Sequence, residues 1–340
     1  MNNLIEQNSR TILLIILTFI LSGCSLLTKL LPEGGQSRYT SCLDLFSENN
    51  EWQNETSIEI IGYDDSAMEP RISADQNLLL FNNKAINGDD MDVHYAVREN
   101  PIKNPNRYTY KGILKGADSN KLDGTPGLDK FGNFYFVSLR DYGKNYQSIY
   151  SAQLTETAKN QFELKNIQPA DDYVTRAHKL MIDMDGEVSW DGSTMISSRA
   201  DFVNQTEAPR TSYLALFNVS FSDGVSKRVA MPNKESSFIL ANVNLPECRV
   251  YAGSLSENKL ELFYTILTTS PNVKPDDFRI VVAKRKSTNE SFGRGQIISA
   301  IKGNIIEGPS VSLDDGGNSL YYHKLDSTEK RFKIYKVMRK

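Results

Sequence analysis

Acidic side chains stand just ahead of short apolar segments in several repeats of this chain. If those segments are the innermost strands of a closed β structure, some of the acids would face its central channel. A ring of carboxylates there could bind a cation or a basic peptide. The acids in question are Glu69, Asp123, Asp185, Glu187, Glu247 and Glu307.

Two of these acids could instead serve as a glycosidase pair, in which one carboxyl acts as the acid and the other as the base or nucleophile. Such pairs are separated by roughly 5 to 9.5 Å. The candidates for catalysis are Glu69, Asp185 and Glu307. Glu69 and Asp185 stand three residues before the apolar anchor of their repeat, whereas Glu307 stands four before. This uneven register favours the plainer interpretation, in which the acids are solvated residues of turns.

No other residue pattern indicates catalysis or a cofactor. The three histidines, His94, His178 and His323, lack the spacing of metal ligands. The chain has no Gly-x-Ser-x-Gly nucleophile elbow and no phosphate-binding glycine loop. We therefore predict no cofactor and no metal, and the balance of the sequence favours a protein that is not an enzyme.

A strand signature recurs five times and must position the acids. It consists of an apolar residue, a Ser or Asp, a short acidic or Gly/Asn turn, and an apolar or aromatic run. Self-similarity at a regular spacing indicates a repeat architecture. The five copies start at Ile72-Ser73, Leu128-Asp129, Val188-Ser189, Leu255-Ser256 and Val311-Ser312.

Further strand candidates follow each signature, so that most units contain four strands. Such units fit the blades of a β-propeller, and the pattern predicts an all-β fold of five blades, each with four antiparallel strands. The last unit lacks its outer strand, and we predict that residues 56–62 supply it, because closing the ring removes exposed strand edges. A six-bladed ring, with residues 39–66 as a degenerate blade, is the alternative. Residues 154–160 are predicted to form a short helical turn.

At these residues the sequence resembles the TolB-type, WD-like β-propeller repeats of bacterial envelope proteins. The copy at 69–75 keeps the Pro, the apolar-Ser pair and the Asp of that pattern, and the copy at 188–192 keeps its Asp-Gly turn. The resemblance covers about residues 64–338. It implies the fold but no particular function, since propellers host enzymes, scaffolds and ligand binders. TolB itself implies a periplasmic partner-binding scaffold, but its separate N-terminal domain has no counterpart here, so that role is not carried over.

The N-terminus has the pattern of a targeting segment. Residues 11–22 form a mostly apolar run, too short for a membrane-spanning helix of roughly 20 residues but typical of a secretory signal. Leu21-Ser22-Gly23-Cys24 resembles the lipobox of bacterial lipoproteins, which implies cleavage before Cys24 and acylation of that residue. The alternative is an uncleaved signal anchor in which Cys24 is incidental. The chain then divides into a signal peptide (1–23), a lipidated tether (24–38) and one β-propeller domain (39–340). Ser25, in place of Asp, favours the outer membrane, facing the periplasm.

Two further cysteines, Cys42 and Cys248, remain once Cys24 is lipidated. Thiols in an oxidising compartment can pair, and a disulfide between these two would staple the N-terminal segment to the fourth repeat. Pairing requires their Cα atoms to approach within roughly 7 Å. The alternative is two separate, small buried residues.

Composition limits the partners. The 340 residues carry a formal net charge of -3. This charge argues against a nucleic-acid partner, because proteins that bind nucleic acid usually carry a strong basic stripe. The lipid implies a membrane, and the face of a propeller disc suits an envelope protein or a glycan. The sequence thus predicts a lipid-anchored, non-catalytic binding scaffold. The alternative is a glycan-active hydrolase that uses carboxylates at the central channel.

Overall fold

Five small sheets arranged around one axis make up the part of the chain that the computed structural model describes. The sheets are the blades of a five-bladed β-propeller, as predicted. The predicted signal peptide, the tether with Cys24, and His178 lie outside the described residues. Those residues are 42–84, 91–171, 181–201, 211–222, 225–231, 233–267, 278–303, 305–313 and 315–340.

The strands follow the chain from blade to blade. Three short strands come first: β1 (Ser47–Asn49), β2 (Trp52–Ser57) and β3 (Glu59–Ile61). Blade 1 contains β4 (Ala67–Ile72), β5 (Leu78–Asn83), β6 (Val93–Val97) and β7 (Arg107–Ile113). Blade 2 contains β8 (Asp123–Leu128), β9 (Asn133–Ser138), β10 (Ile149–Ala158) and β11 (Gln161–Pro169).

The inner strand of blade 3 is interrupted, whereas those of blades 4 and 5 are continuous. Blade 3 contains β12 (Met181–Asp183) and β13 (Glu187–Val188) as its inner strand, then β14 (Thr194–Asp201), β15 (Thr211–Ser222) and β16 (Val225–Ala230). Blade 4 contains β17 (Arg249–Leu255), β18 (Glu261–Leu267), β19 (Phe278–Lys284) and β20 (Gln296–Ile298). Blade 5 contains β21 (Ile306–Val311), β22 (Ser319–Leu325) and β23 (Phe332–Arg339).

Helical structure is sparse in the described residues. It comprises a 3₁₀ helix at Cys42–Leu45 and two short α-helices, α1 (Tyr142–Asn145) and α2 (Asn233–Ile239). The helical turn predicted at 154–160 is wrong, because this segment forms the hairpin of β10 and β11, with Asn160 at φ 60° in the turn. No helix among the described residues is long and apolar enough to cross a membrane.

The recurring Ser of the signature closes the turn between the first two strands of a blade. In blade 1 the Ser73 hydroxyl donates to Asp75 (2.6 Å) and accepts the backbone N–H of Leu78 (2.9 Å). Blade 3 repeats the arrangement, with Ser189 donating to Asp191 (2.6 Å). Short polar side chains stabilise turns by bonding nearby backbone groups, so each signature is a local folding unit.

The N-terminal segment joins three successive blades. Strand β1 pairs in parallel with β20 of blade 4, β2 pairs antiparallel with β23 as the missing outer strand of blade 5, and β3 pairs in parallel with β7 of blade 1. The predicted closure of the last blade is confirmed, but its strand spans 52–57. The chain changes blade between adjacent residues, since the N–H of Ile58 donates to Ile334 (2.8 Å) and that of Glu59 to Asn106 (2.9 Å).

A disulfide joins Cys42 to Cys248 in the structure, with their Cα atoms 5.4 Å apart. Cys248 immediately precedes β17, so the bond attaches the start of the N-terminal segment to blade 4, the same blade that β1 extends. The two residues are 206 positions apart in sequence, and a cross-link over so long a loop restricts the unfolded chain strongly in the chain-entropy description.

Candidate functional site

A bulge at the same place in the inner strands turns side chains towards the propeller axis. In blade 1, Met68 pairs with Asn82 and Arg71 with Leu80, so that Glu69 and Pro70 together oppose a single residue of β5. The same two-for-one register occurs in blades 2, 4 and 5, and the break between β12 and β13 replaces it in blade 3. The residues at the first bulge position are Glu69, Thr125, Asp185, Ala252 and Gly308.

Backbone strain accompanies these bulges. Glu69, Thr125 and Ala252 have φ of 48°, 49° and 49°, and Gly308 has 63°. Non-glycine residues rarely adopt the left-handed region, and β-branched threonine least of all. Glu69, Thr125 and Gly308 each precede a proline, which disfavours the right-handed helical region for them. The surrounding structure must hold the bulge residues in these conformations, and such outliers are typical of functional positions.

The bulges enclose a small axial cavity with a volume of about 30 Å³. This volume exceeds the 10–15 Å³ or so that one water requires, but it is far below the roughly 300 Å³ of a small-molecule pocket. Its lining contains three acids and no aromatic side chain: Glu69, Pro70, Thr125, Pro126, Asp185, Gly186, Glu187, Ala252, Gly253, Gly308 and Pro309.

Arg71 closes the axis on the side of the turns between first and second strands. Its guanidinium is fully buried, forms a salt bridge with the Glu187 carboxylate, and lies 4.0 Å from the centre of the Trp190 ring. Its Nε donates to the carbonyl of Leu128 (3.0 Å). The Arg71 side chain, which starts in blade 1, thus bonds to blades 2 and 3.

The same network continues through the remaining blades. The hydroxyl of Ser254, in blade 4, donates to Glu187 (3.3 Å) and accepts the N–H of Val311, in blade 5 (3.2 Å). Arg71 and Glu187 therefore lie at the centre of one set of hydrogen bonds that reaches all five inner strands.

Two axial carboxyls hold their protons more tightly than usual. Burial raises the pKa of Glu69 to about 8, and the neighbouring Asp185 adds to the effect. Burial also raises the pKa of Asp185 to about 6, although hydrogen bonds oppose the change. Those bonds come from the N–H of Ser198 (2.8 Å) and of Ala252 (3.0 Å), and from the Ser198 hydroxyl.

Glu69 also belongs to a second cluster, between blades 1 and 5. One ligand atom each from Glu69, Glu307 and His323 lies within 4.8 Å of the others. Glu307 and His323 are cross-strand partners in blade 5, and Tyr251 donates to Glu307 (2.8 Å). The backbone N–H of Glu69 donates to Nδ1 of His323 (3.1 Å), and burial lowers the pKa of this histidine to about 3. We call Glu69, Glu307 and His323 the acid–histidine cluster.

The structure brings together only part of the predicted set of acids. Glu69, Asp185 and Glu187 line the axial cavity, and Glu307 lies beside it. Asp123 is buried instead in a salt bridge with Arg140 (3.0 Å), and Glu247 is exposed ahead of β17. His94 packs within its blade, with its Nδ1 2.8 Å from the Tyr110 hydroxyl.

Sequence reasoning missed Arg71 and His323 as site residues. A signal for the register was present, since the residue after each bulge position is Pro or Gly, at 70, 126, 186, 253 and 309. Aligning the repeats on these residues places Arg71 and Glu187 at one common position next to the anchor. His323 follows once β22 is paired with β21 in that register.

A larger groove lies between blades 1 and 2, on the face of the inner turns. Its volume is about 870 Å³, within the usual range for ligand sites. Its walls are the inner turns of both blades, the loop after β6 and the hairpin of β10 and β11. Two exposed apolar residues are sequence neighbours of the groove residues Lys130 and Pro101: Phe131, 63% exposed, and Ile102, 93% exposed. We call this surface the blade 1–2 groove.

Comparison with known proteins supports the β-propeller fold and no particular function. No family model and no curated protein matches the chain. Among solved structures, it is similar to TolB from Acinetobacter baumannii, with 13% identity, a TM-score of 0.39, and coverage of 80% of this chain and 54% of that one. The chain thus spans about half the length of that TolB.

Glycoside hydrolases are similar to the same degree. The α-L-arabinanase of Cellvibrio cellulosa has 11% identity and a TM-score of 0.49, with 81% of this chain and 91% of that one covered. An α-L-arabinofuranosidase from Podospora anserina has 10% identity and a TM-score of 0.48, with 87% and 98% covered. These likenesses do not decide between a binding protein and a hydrolase.

Removal of Arg71 tests the axial network. We expect Arg71→Met to lower the free energy of unfolding by about 3–5 kcal/mol, because the carboxylate of Glu187, whose side chain is only 13% exposed, would lose its charged partner. Adding Glu187→Gln to that variant should restore part of the loss. Denaturant unfolding of both variants measures the effect. Arg107→Met breaks an exposed pair with Glu59 and should lower stability by less than about 1 kcal/mol; an equal loss in both single variants would contradict the proposed importance of the axial pair.

The titration of Asp185 should appear in the pH dependence of stability. Its raised pKa means that the folded state binds more protons than the unfolded state above about pH 4, so its contribution to stability falls as the pH rises. The free energy of unfolding of wild type minus that of Asp185→Asn should fall by about 2 kcal/mol between about pH 4 and 7. Urea unfolding at each pH measures it. A difference that stays flat over this pH range would contradict the expectation.

Proposed function

We propose that this protein is a non-catalytic binding scaffold. It binds a polypeptide partner on the face of the propeller that carries the inner turns. The observation that carries the proposal is the closed axis. The axial cavity holds about 30 Å³, and Arg71 closes it on one side through its contacts to Glu187 and Trp190. A partner larger than an ion or a water is therefore bound elsewhere.

The alternative of a glycan hydrolase is favoured by one feature, the convergence of carboxyls at the axis. Glu69 and Asp185 have raised pKa values, and enzymes that need a protonated carboxyl at neutral pH use such groups. A sugar ring, however, does not fit a cavity of about 30 Å³. The cavity lining also lacks an aromatic platform, and Asp185 is occupied by hydrogen bonds from Ser198 and Ala252. These observations support the scaffold.

The blade 1–2 groove is the surface that best suits a polypeptide. The half-buried Leu154 and Phe162 contribute apolar surface beside the buried Leu78 and Val97. Charged residues of both signs, among them Lys159 and Glu99, stand around them. An apolar centre with a polar rim is the usual anatomy of a protein interface.

The exposed neighbours of the groove extend this surface. Phe131 and Ile102, with 63% and 93% of their surface exposed, present apolar area beyond what a small ligand in the groove would cover. Aromatic anchors of this kind carry much of the affinity in protein complexes. We propose that the bound polypeptide extends from the groove onto these two side chains.

Lipidation of Cys24 is the second element of the proposal. The lipobox-like sequence before Cys24 supports it. Acylation there would hold the propeller at the membrane through the segment that precedes Cys42. A scaffold attached in this way would present its partner to other components at the membrane surface, in the outer membrane and facing the periplasm.

Site-specific photocrosslinking tests the groove. With a benzoyl-phenylalanine crosslinker at position 131 or 102, we expect the same discrete protein adduct in cells. The crosslinker at Phe221, an equally exposed aromatic of blade 3 (62%), should not give this adduct. Phe131→Asp combined with Ile102→Asp should lower recovery of that partner at least about tenfold, while Phe221→Asp leaves recovery unchanged. Adducts of equal intensity at all three positions, or turnover of a glycan that Glu69→Gln abolishes, would overturn the proposal.

Metabolic labelling tests the anchor. In bacterial cells supplied with an alkyne fatty acid, the wild-type chain should incorporate the label and sediment with the membrane fraction. Cys24→Ser removes the only thiol of the lipobox-like sequence and should abolish labelling, whereas Cys248→Ser should not. Labelling that persists in Cys24→Ser would show that the lipid is attached elsewhere or that no lipobox is used.

A further inference from the structure

We propose that the acid–histidine cluster is a binding site for Ca²⁺, in which Glu69 and Glu307 supply carboxylate ligands and His323 contacts a water molecule bound to the ion. The site would lie beside the axis, between the first and the last blade. It is separate from the blade 1–2 groove and does not depend on the scaffold function proposed above.

The geometry of the cluster supports a shared ligand. One oxygen each of Glu69 and Glu307 and one nitrogen of His323 are within 4.8 Å of one another, and ligands on opposite sides of a Ca²⁺ ion are separated by about 5 Å, twice the usual Ca–O distance. Gly308 makes the arrangement possible, because a Cβ there would lie 2.5 Å from Oε2 of Glu69. Any larger residue at 308 would push the Glu69 carboxylate out of the cluster.

The His323 ring gives independent evidence for a ligand. The ring is fully buried, and its Nε2 has no hydrogen-bond partner among the described residues. Nε2 points towards Oε1 of Glu307, at 4.0 Å, which is too long for a direct hydrogen bond. Buried polar atoms are nearly always satisfied by protein or by ordered water, so this nitrogen indicates an additional polar occupant.

The protonation state of the ring defines what that occupant is. Nδ1 accepts the backbone N–H of Glu69 (3.1 Å), so the neutral ring carries its own proton on Nε2. A protonated Nε2 cannot ligate a metal, but it can donate to a water in the ion's coordination shell. The metal ligands are then oxygens, and carboxylates and water suit hard cations such as Ca²⁺ better than Zn²⁺ or Cu²⁺.

Charge and space favour Ca²⁺ over Mg²⁺. Glu69 forms no salt bridge among the described residues and has Asp185 as a like-charged neighbour, while the adjacent Arg71 is engaged with Glu187. A cation would compensate this excess of carboxylates. Mg²⁺ demands near-ideal octahedral geometry, whereas Ca²⁺ accepts 6–8 oxygen ligands in flexible geometry, and the neighbouring cavity of about 30 Å³ has room for about two waters beside the two carboxylates.

Calorimetric titration tests the site. The full chain, stripped with EGTA and titrated with CaCl₂, should bind one Ca²⁺ with a dissociation constant on the order of 10⁻⁴ M or tighter, and saturating Ca²⁺ should raise its melting temperature. Glu69→Gln and Glu307→Gln should each weaken binding at least tenfold. Glu257→Gln, a change at an exposed acid outside the cluster, should bind as wild type does.

Three results would overturn the assignment. They are the absence of Ca²⁺ binding to the wild-type chain, undiminished binding by Glu69→Gln, and Zn²⁺ binding that is tighter than Ca²⁺ binding and is lost in His323→Gln. Glu69→Gln is the decisive variant should Glu307→Gln fail to fold, because Glu307 also accepts the Tyr251 hydroxyl, whereas the Glu69 carboxylate has no hydrogen bond among the described residues.

Discussion

The buried ion pair of Arg71 and Glu187 is the interaction on which the rest of the structure depends. Five inner strands converge on one axis, and their bulges leave backbone and side-chain polar groups facing each other in a space that holds almost no water. Arg71 satisfies carbonyls of blades 2 and 3, and Glu187 reaches the blade 4 hydroxyl that binds blade 5. Because a buried charge without its partner is strongly destabilising, loss of either residue alone would weaken the axis, and together they close it to any sizeable ligand.

A second constraint acts at the rim of the propeller, where the first blade must be joined to the last. The N-terminal segment does this over three blades: β1 extends blade 4, β2 completes blade 5 and β3 extends blade 1. The Cys42–Cys248 disulfide secures the beginning of the segment on blade 4. This pairing covers the edges of β20, β23 and β7, and an exposed edge is the usual route to aggregation of β proteins.

The blade count could be predicted from sequence because each signature is stabilised locally. The Ser73 and Ser189 hydroxyls bond within their own turns, so the pattern can be recognised without reference to the rest of the chain.

The existence of a closing strand was predicted correctly, but its bounds were not. The chain changes blade between Ile58 and Glu59 without interrupting the alternation of side chains. Arg71 and His323 could not be assigned from pattern alone, since their partners come from other blades and depend on the register of bulges. Glu69 and Asp185 were identified, but their burial was not.

The acid–histidine cluster lies where the two constraints meet. Glu69 belongs to blade 1, and Glu307 and His323 belong to blade 5, so the cluster spans the seam that the N-terminal segment closes at the rim. A cation there would join the first and last blades at the axis, opposite the strand pairing that joins them outside. It would also compensate charge in the one part of the axis that Arg71 does not reach. The bulge strain at Glu69, with φ of 48°, then has a physical reason, because it places a carboxylate over Gly308 that a regular strand would direct elsewhere.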